Sequence, residues 1–314
     1  MSRTSIPMTA AGSTHNATAA LALRPRWLDT RRAMVQAITS AWIIGVLLPV
    51  LGLVVISVLV TRGIDILWKF SIAEYVTILG GFRLELILRT LRITAILTVI
   101  EFVLAFPFSL WLAKGLRSGW RKTVILVLLV VPFFLSPAAR TFVWRAILGR
   151  EGLVNTILMG LGVVDRPVDW LLFSEFSVEI GLIGPYFPSM VWPLYISMAL
   201  IDDELISASR DLGASEWETL RLVIFPLAAP GIVAGFIFTA IPMLGDNVAL
   251  TLLGGGKVTL IAESINDMVG SLDWPGAAAM ASIVFALIAV VVAGFWLVVK
   301  RTWGSVDVFG NLKL

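Results

Sequence analysis

The sequence predicts an all-α integral membrane protein, and three observations lead to that fold class. Of the 314 residues, 58% are hydrophobic and only 14% are charged, whereas soluble domains carry about a quarter charged residues. Several charge-poor stretches reach the length of about twenty residues that a bilayer-spanning helix needs. The chain has no cysteine and one histidine, His15, which excludes a disulfide framework and argues against a metal centre.

Six such stretches predict six transmembrane helices. The first has no charged residue over positions 33–61 and lies too far from the N-terminus for a cleaved signal peptide. The other five lie between Arg92 and Lys114, Lys122 and Arg140, Glu179 and Asp202, Arg221 and Asp246, and Asp273 and Lys300. We therefore expect a six-helix domain over residues 39–302, after a cytoplasmic, largely disordered tail, 1–38, and before a cytoplasmic C-terminal tail, 303–314.

The lysines and arginines predict the orientation in the membrane. They concentrate in the N-terminal tail, between Lys114 and Lys122, and at the C-terminal end, and basic residues of short loops mark the cytoplasmic side. Both termini are therefore expected in the cytoplasm. The connection between the fourth and fifth helices breaks this pattern, because it must also be cytoplasmic yet holds six acids against Arg210 and Arg221.

Two segments on the outer side have local signals of their own. Gly152–Gly162, in the loop over about 140–178, predicts an apolar helix that is too short to span. We expect it in an interfacial or re-entrant position. Gly254-Gly-Gly-Lys257 is Gly-rich, but Thr251 and Val258 stand where a phosphate loop needs Gly and Ser or Thr. A flexible turn is expected there instead of a nucleotide site.

The exceptional connection, residues 202–226, predicts two short helices. Leu205, Ala208 and Leu212 recur at helical spacing. Gly213 then supplies a left-handed stop, because only glycine adopts that conformation without strain.

The second of these helices has its own start signals. Ser215 and Glu218 have the spacing of a capping box. Pro226 is expected at the entry of the fifth transmembrane helix, because the residue before a proline avoids helical geometry. A helix-turn-helix of this amphipathic kind is a shape that docks into a groove of a soluble partner.

This segment resembles the cytoplasmic EAA loop in permease subunits of bacterial ATP-binding-cassette importers. The family pattern is Glu-Ala-Ala, three residues, Gly, nine residues, Ile, one residue and Leu-Pro. Ala208, Gly213, Ala214 and Pro226 match this pattern. The residues that we assign to an ATPase-coupling loop are Glu204, Ser207, Ala208, Gly213, Ala214 and Pro226. Ser207 replaces the family's glutamate, and Glu204, one helical turn earlier, is the candidate substitute.

Three further stretches are similar to the first permease of spermidine/putrescine importers: Pro132–Trp144, Gly152–Asn155 with Leu161-Gly162, and Asp273–Ala278. The resemblance covers about residues 85–300. It implies the type I importer permease fold, with six transmembrane helices and a cytoplasmic coupling-helix loop, in a bacterial inner membrane.

The same resemblance implies the partners and the cargo. The partners are a second permease, two ATPase subunits that hold ATP and magnesium, and a periplasmic solute-binding protein. No cofactor and no catalytic residue is expected on this chain. A polyamine is the cargo that the resemblance favours, and iron, opines, phosphonates and amino-acid-like solutes remain alternatives.

Ionisable residues inside a span are costly and mark candidate sites. Glu101, in the second helix, and Asp246 with Asn247, at the outer end of the fifth, are candidates for the translocation pathway, and Pro242 predicts a bend beside them. Four tryptophans are expected in belts at the membrane interfaces: Trp144, Trp170, Trp192 and Trp274.

Two other functional classes are considered. A proton-driven secondary transporter would use Glu101, but the sequence has no inverted halves. A membrane-embedded enzyme would need a polar catalytic cluster, and only scattered carboxylates are available.

Overall fold

The structure is a computed structural model that describes residues 26–62 and 65–303. The parts of the predicted tails over 1–25 and 304–314 lie outside the described residues. Helix α1, Arg26–Ile56, begins inside the range predicted as tail. The hydrophobic stretch marks where a helix crosses the bilayer, and the helix itself continues into polar sequence before it.

The chain divides into two units, Met1–Val55 and Ile56–Leu314. α1 accounts for the described part of the first unit. The second unit begins with a hairpin of strands β1, Val60–Arg62, and β2, Asp65–Leu67, which pair antiparallel. The sequence did not predict this hairpin.

Helices make up nearly all the rest of the second unit, which confirms the all-α fold class. In chain order they are α2 (Ala73–Gly80), α3 (Phe82–Leu110), α4 (Gly119–Phe134), α5 (Pro137–Leu148), α6 (Leu153–Gly160), α7 (Glu175–Ala199), α8 (Asp203–Asp211), α9 (Glu216–Thr219), α10 (Phe225–Leu227), α11 (Ala229–Leu244), α12 (Ile261–Gly270) and α13 (Trp274–Trp303). π-Turns follow α3 at Trp111–Gly115 and α9 at Leu220–Ile224, and a third lies at Leu250–Gly254.

The predicted count of six spans is not confirmed. Three segments within residues 26–62 and 65–303 are long and apolar enough to cross a membrane as single helices: Met34–Ile56, Phe82–Gly115 and Trp274–Gly294. Two bent pairs bring the number to five if each pair is one span: Gly119–Phe134 with Pro137–Gly160, and Glu216–Leu227 with Ala229–Leu244. α7 was predicted as the fourth span but is not among these segments, and it contains three prolines, 185, 188 and 193.

Two of the predicted helices have different ends in the structure. α3 begins at Phe82, well before Arg92, because a helix can continue through charged residues where it leaves the bilayer. The helix predicted to reach Arg140 ends at Phe134, where the path turns by 102° into α5. Ser136 caps α5 and accepts a hydrogen bond from the Ala139 N–H.

Pro226 does not mark the entry of the fifth helix, contrary to the prediction. The residue before it, Phe225, has helical angles of −62° and −46°, and the 67° bend lies at Ala228. The π-turn Leu220–Ile224 precedes the proline. A π-turn closes a wider hydrogen-bonded ring than an α-helical turn does. This spacing accommodates a residue that has no N–H donor, so the helical path continues through the proline.

α3 and α7 run parallel and are fastened to one another at both ends. Near their first turns, Arg89 Nη2 lies 2.7 Å from Glu175 Oε2. Further along, the Ser109 hydroxyl donates to the Val191 carbonyl at 3.3 Å. These two contacts show which part of α3 lies beside which part of α7.

α11 packs antiparallel on α7 through small residues. A side-chain Cβ at Gly231 would meet the Pro193 carbonyl oxygen and would lie 2.5 Å from the Ser197 Cβ. At Gly235 a Cβ would lie 2.8 Å from the Met190 sulfur. Glycine at these positions lets the two helices approach closely, which is typical of helix packing in membranes.

Three buried apolar clusters lie along these helices. The loop-side cluster, next to the 202–226 connection, contains Ala105, Met190, Val191, Leu194, Met198, Ile201, Ile224, Ala228 and Ile232. The far-side cluster contains Ile93, Leu97, Val178, Leu182, Met243, Ala249, Leu250, Leu253, Val258 and Leu260. The third joins α2, α3, α12 and α13 through Ile78, Ile87, Ile261, Met268, Ala277, Ala279 and Met280.

The predicted short helix of the 140–178 loop is present as α6, and Gly162 after it has a φ of +68°. Asn155, the last residue of the Gly152–Asn155 motif, has a structural role in this loop. It is fully buried, its amide donates to the Gly149 carbonyl at 3.1 Å, and its Oδ1 accepts from the Val168 N–H at 2.8 Å. Asn155 therefore joins the two ends of the loop.

Candidate functional site

The first helix of the 202–226 connection, α8, has a specified start and end. The Asp202 carboxylate accepts from the Glu204 N–H at 3.2 Å and caps the helix. At the other end Gly213 has a φ of +87°. Its N–H donates to the Arg210 carbonyl, and the Ala214 N–H donates to the Ser209 carbonyl. These two bonds form a Schellman motif, so the predicted glycine stop is confirmed.

The second helix, α9, begins with the predicted capping box. The Ser215 hydroxyl accepts from the Glu218 N–H at 3.3 Å, and the Glu218 carboxylate accepts from the Ser215 N–H at 2.8 Å. The same carboxylate also accepts from the Ser215 hydroxyl at 2.7 Å, and its two hydrogen bonds from Ser215 favour the charged form and hold the pKa of Glu218 below its ordinary value. A hydrogen bond between the Ser209 and Thr219 hydroxyls joins α8 to α9.

The connection presents large apolar side chains on its surface. Leu212 is 90% exposed and Trp217 is 69% exposed. Leu205 and Leu222 are exposed as well. Exposed apolar side chains that cluster on one element are typical of a protein interaction site. The connection therefore has both a defined backbone shape and an unpaired apolar surface.

The predicted coupling-loop residues divide between this surface and the membrane domain. Glu204, Ser207, Ala208 and Gly213 are exposed, whereas Ala214 and Pro226 are half-buried. The Ser207 hydroxyl donates to the Asp203 carbonyl within α8 at 3.0 Å. The side chain that replaces the family's glutamate is therefore bonded within its own helix.

A groove of about 1040 Å³ runs along α7 and α11 from the connection toward Pro242. It is mostly apolar, with Ser189, Ser197, Trp192 and Asp202 among its polar lining groups. The prolines of both helices contribute to its walls. Pro226 and Pro242, which the sequence singled out, line it near the connection and toward the opposite end.

Glu101 is not among the residues that line this groove. It is fully buried, and neither of its carboxylate oxygens has a hydrogen-bond partner within the described part of the chain. It is on α3 between Leu97 of the far-side cluster and Ala105 of the loop-side cluster. Thr239 holds the matching place on α11, between Ile232 and Met243, and its buried hydroxyl is also unpaired.

Asp246 and Asn247 follow Pro242 just after the end of α11, and like Glu101 they are not among the residues that line the groove. The Tyr186 hydroxyl donates to Asp246 Oδ2 at 2.8 Å and lies 3.5 Å from the Pro242 carbonyl oxygen. Asp246 Oδ1 also accepts from the backbone N–H groups of Val248 and Ala249. Asp246 therefore caps the helical turn that follows it, a structural task that its position in the sequence did not reveal.

Sequence reasoning missed two contributors to this region. Trp192 was expected in an interfacial belt, but it lines the groove from the middle of α7, and its buried indole N–H has no hydrogen-bond partner among the described residues. Tyr186 was not singled out because nothing in its local sequence indicates that it meets α11. Ser136-Pro137, in contrast, carries a readable cap and first-turn signal for α5.

Comparison with known proteins identifies the family. The family model of the binding-protein-dependent transport system inner membrane component matches residues 95–303. The spermidine/putrescine transport system permease protein PotB of Escherichia coli K12 is 33% identical over 228 residues, which cover 72% of this chain and 82% of PotB. PotB of Haemophilus influenzae is 30% identical over 259 residues, covering 82% of this chain and 90% of that protein.

A solved structure has the same fold. It is the bacterial alginate ABC transporter in complex with an alginate pentasaccharide-bound periplasmic protein, with a TM-score of 0.68 at 18% identity over 88% of this chain and 98% of that one. The match of the family model to residues 95–303 includes the 202–226 connection and the groove helices. The chain therefore belongs to the binding-protein-dependent transport system inner membrane components, the multi-pass permease subunits of ABC importers.

Proposed function

We propose that this chain and a second permease form the translocation pathway of an ATP-driven importer, and that residues 202–226, the coupling loop, dock onto an ATPase subunit. The observation that carries the proposal is the combination of exposed apolar side chains with a backbone fixed at Asp202, Gly213 and Ser215. A segment with a fixed backbone and exposed apolar side chains can bind a partner and pass the partner's movement to the helices at its two ends.

The groove supports the other half of the proposal. An apolar concavity along α7 and α11 is the kind of surface that a second permease would cover. ATP and magnesium would be held by two separate ATPase subunits, and closure of these subunits would move the coupling loop and open the pathway outward. This arrangement requires the cytoplasmic placement of both termini that the basic residues predict.

A polyamine is the cargo we propose, delivered by a periplasmic binding protein. The support is the likeness to two spermidine/putrescine permeases over most of both chains. The acids proposed for the pathway are Glu101 and Asp246, with Asn247 and Pro242 beside the latter. Contact with cargo would require Glu101 to become accessible during transport, because it is buried in this conformation.

A matched pair of tryptophans tests the docking role. Trp217 in the coupling loop and Trp120 at the start of α4 are both 69% exposed. We expect Trp217→Ser to lower co-purification of the ATPase with the assembled permease pair at least about tenfold, a loss typical of an aromatic interface anchor. Trp120→Ser should leave co-purification unchanged. Equal losses from the two variants, or none from Trp217→Ser, would contradict docking through this loop.

A further inference from the structure

Lys114 connects the end of α3 to the start of the coupling loop. It lies in the π-turn Trp111–Gly115. Its ammonium group donates to the Ile201 carbonyl, which follows α7, and to Asp203 Oδ1 at 2.6 Å. The lysine side chain is 17% exposed, whereas that of Asp203 is 81% exposed. Lys114 therefore reaches from within the membrane domain to the first residue of α8.

The electrostatics of this contact are favourable on both sides. The carbonyl groups at the end of α7 carry the partial negative charge of a helix C-terminus, which attracts a cation. Asp203 lies in the first turn of α8, where a carboxylate is favoured. The hydrogen bond and the charge of Lys114 hold the pKa of Asp203 below its ordinary value. The ammonium group thus lies between two partners that both attract it.

Both hydrogen bonds of Lys114 join the π-turn after α3 to the first residues of the coupling loop and the segment just before it. Apolar contacts also join α3 to the loop. The rings of Phe102 and Phe106 lie 6.4 Å and 5.5 Å from the ring of Phe225, in the second half of the loop, and Ile206 of α8 packs against the loop-side cluster, which contains Ala105 of α3. The first half, α8, is attached to α7 through the short segment that ends at Asp202. Lys114 is therefore a polar connection by which α3 can follow α8.

We infer that Lys114 is a positioning residue, which holds α8 against the end of α3 so that movement of the coupling loop reaches the membrane helices. The inference rests on the proposed coupling function of this loop. Without the ammonium group, α8 keeps its apolar contact with the loop-side cluster but loses its hydrogen bond to the end of α3, so it follows α3 less closely. ATP hydrolysis would then continue with a smaller response in the pathway.

Lys122 provides the matched control. It is a lysine near the same end of the molecule, its Nζ donates to the Ala113 carbonyl at 3.3 Å, and it lies 5.4 Å from the centre of the Tyr195 ring. It makes no hydrogen bond to the coupling loop in the part of the chain that the structure describes. Lys122→Met therefore removes a similar charge, which acts on Asp203 without a hydrogen bond, and leaves both hydrogen bonds of Lys114 in place.

The experiment measures access to the groove and needs no knowledge of the cargo. The natural chain has no cysteine, so Ser189→Cys places a single thiol of this chain in the groove. In the complete importer, with its second permease, ATPases and binding protein in lipid vesicles, thiol labelling by a maleimide is measured with and without ATP, together with ATP hydrolysis.

We expect ATP to change the labelling rate in the Ser189→Cys background. Lys114→Met should reduce this change about tenfold, the factor expected for one charge-assisted hydrogen bond, while ATP hydrolysis continues. Lys122→Met should leave the change intact, and Lys114→Arg should restore most of it. Recovery by arginine distinguishes positioning from general damage to the fold.

The possible failures are distinguishable. If Gly213→Val abolishes the ATP-dependent change but Lys114→Met does not, the inference about Lys114 is overturned and the coupling function stands. If Gly213→Val has no effect on labelling, the coupling function itself is contradicted.

Discussion

Three polar groups of the coupling loop and two of the membrane core are in opposite situations. In the loop, the side chains of Asp202, Ser215 and Glu218 are exposed and all three are paired with backbone N–H groups. In the core, Glu101 and Thr239 are fully buried and unpaired within the described chain. The loop thus has its shape specified by local hydrogen bonds, whereas the core is specified by packing and retains polar groups at a cost in stability.

The largest change in stability is expected from a substitution in the packed membrane core, between α11 and α7. Gly231→Ala places a Cβ against the Pro193 backbone carbonyl, which cannot move aside. We expect the variant to lower the free energy of unfolding by about 3 kcal/mol, measured as thermal stability in detergent. Gly235→Ala, on the same helix, meets the flexible Met190 sulfur and should cost about 1 kcal/mol. Equal losses would show that the backbone contact does not limit the approach of α11 to α7.

The next effect concerns the loop, where backbone conformation matters more than space. Gly213 has a φ of +87°, and a Cβ there would touch nothing. A β-branched residue at this φ costs about 2 kcal/mol in backbone strain. Gly213→Val should therefore leave the protein inserted but lower the amount of solute imported per ATP.

Gly119→Val is the control for this variant. Gly119 also has open space for a Cβ, but its φ is outside the left-handed region. A normal import-to-hydrolysis ratio for well-expressed Gly213→Val, or an equal defect in Gly119→Val, would contradict the role of the left-handed turn.

A smaller effect, of opposite sign, is expected from the buried carboxyl group. Glu101→Leu replaces an unpaired buried polar group by an apolar side chain of similar size. It should raise the free energy of unfolding by about 1–2 kcal/mol, measured as an increase in thermal stability. If Glu101 also meets cationic cargo, uptake should fall while stability rises. A loss of stability would mean that Glu101 has an essential bonding partner in the assembled importer.

The smallest effect is a dependence of the stability of the coupling loop on pH. Hydrogen bonds from Ser215 hold the pKa of Glu218 below its ordinary value of 4.5. A lowered folded-state pKa stabilises the folded loop above the ordinary value, and that contribution is lost as the pH falls through the lowered pKa.

Amide exchange in α9, corrected for intrinsic rates, measures this dependence. Protection should be constant between about pH 8 and pH 6 and should decrease below about pH 4.5. Glu218→Gln should show no such acid step. An acid step of the same size in that variant would assign the dependence to another group.

The sequence predicted the loop better than the core for a physical reason. Gly213, Ser215 and Glu218 act within one or two helical turns, so their spacing along the chain is sufficient to recognise them. Tyr186 meets Asp246 across two helices, and Trp192 lines a groove between helices. Such contacts depend on which faces of the helices pack together, and spacing along the chain does not give that information.

The ends of the transmembrane helices were predicted less well than the loop but better than the contacts between helices. Charge-poor stretches located the apolar segments but misplaced the ends of two helices, because α3 continues through Arg92 and because α4 stops at Phe134. The early stop of α4 was readable from Ser136-Pro137, a cap followed by a favoured first residue. The continuation of the helix through Pro226 was not readable, since it depends on a π-turn before the proline.

The most direct test of the account is a cross-link from the tip of the coupling loop. Leu212 is 90% exposed, and Leu212→Cys introduces the single thiol of a cysteine-free chain. In membranes that contain the complete importer, a short bifunctional thiol reagent with one photoreactive arm should join this position to the ATPase subunit. Trp120→Cys should give no such product. Cross-linking of Trp120→Cys to the ATPase without cross-linking of Leu212→Cys would contradict the claim that residues 202–226 couple this permease to ATP.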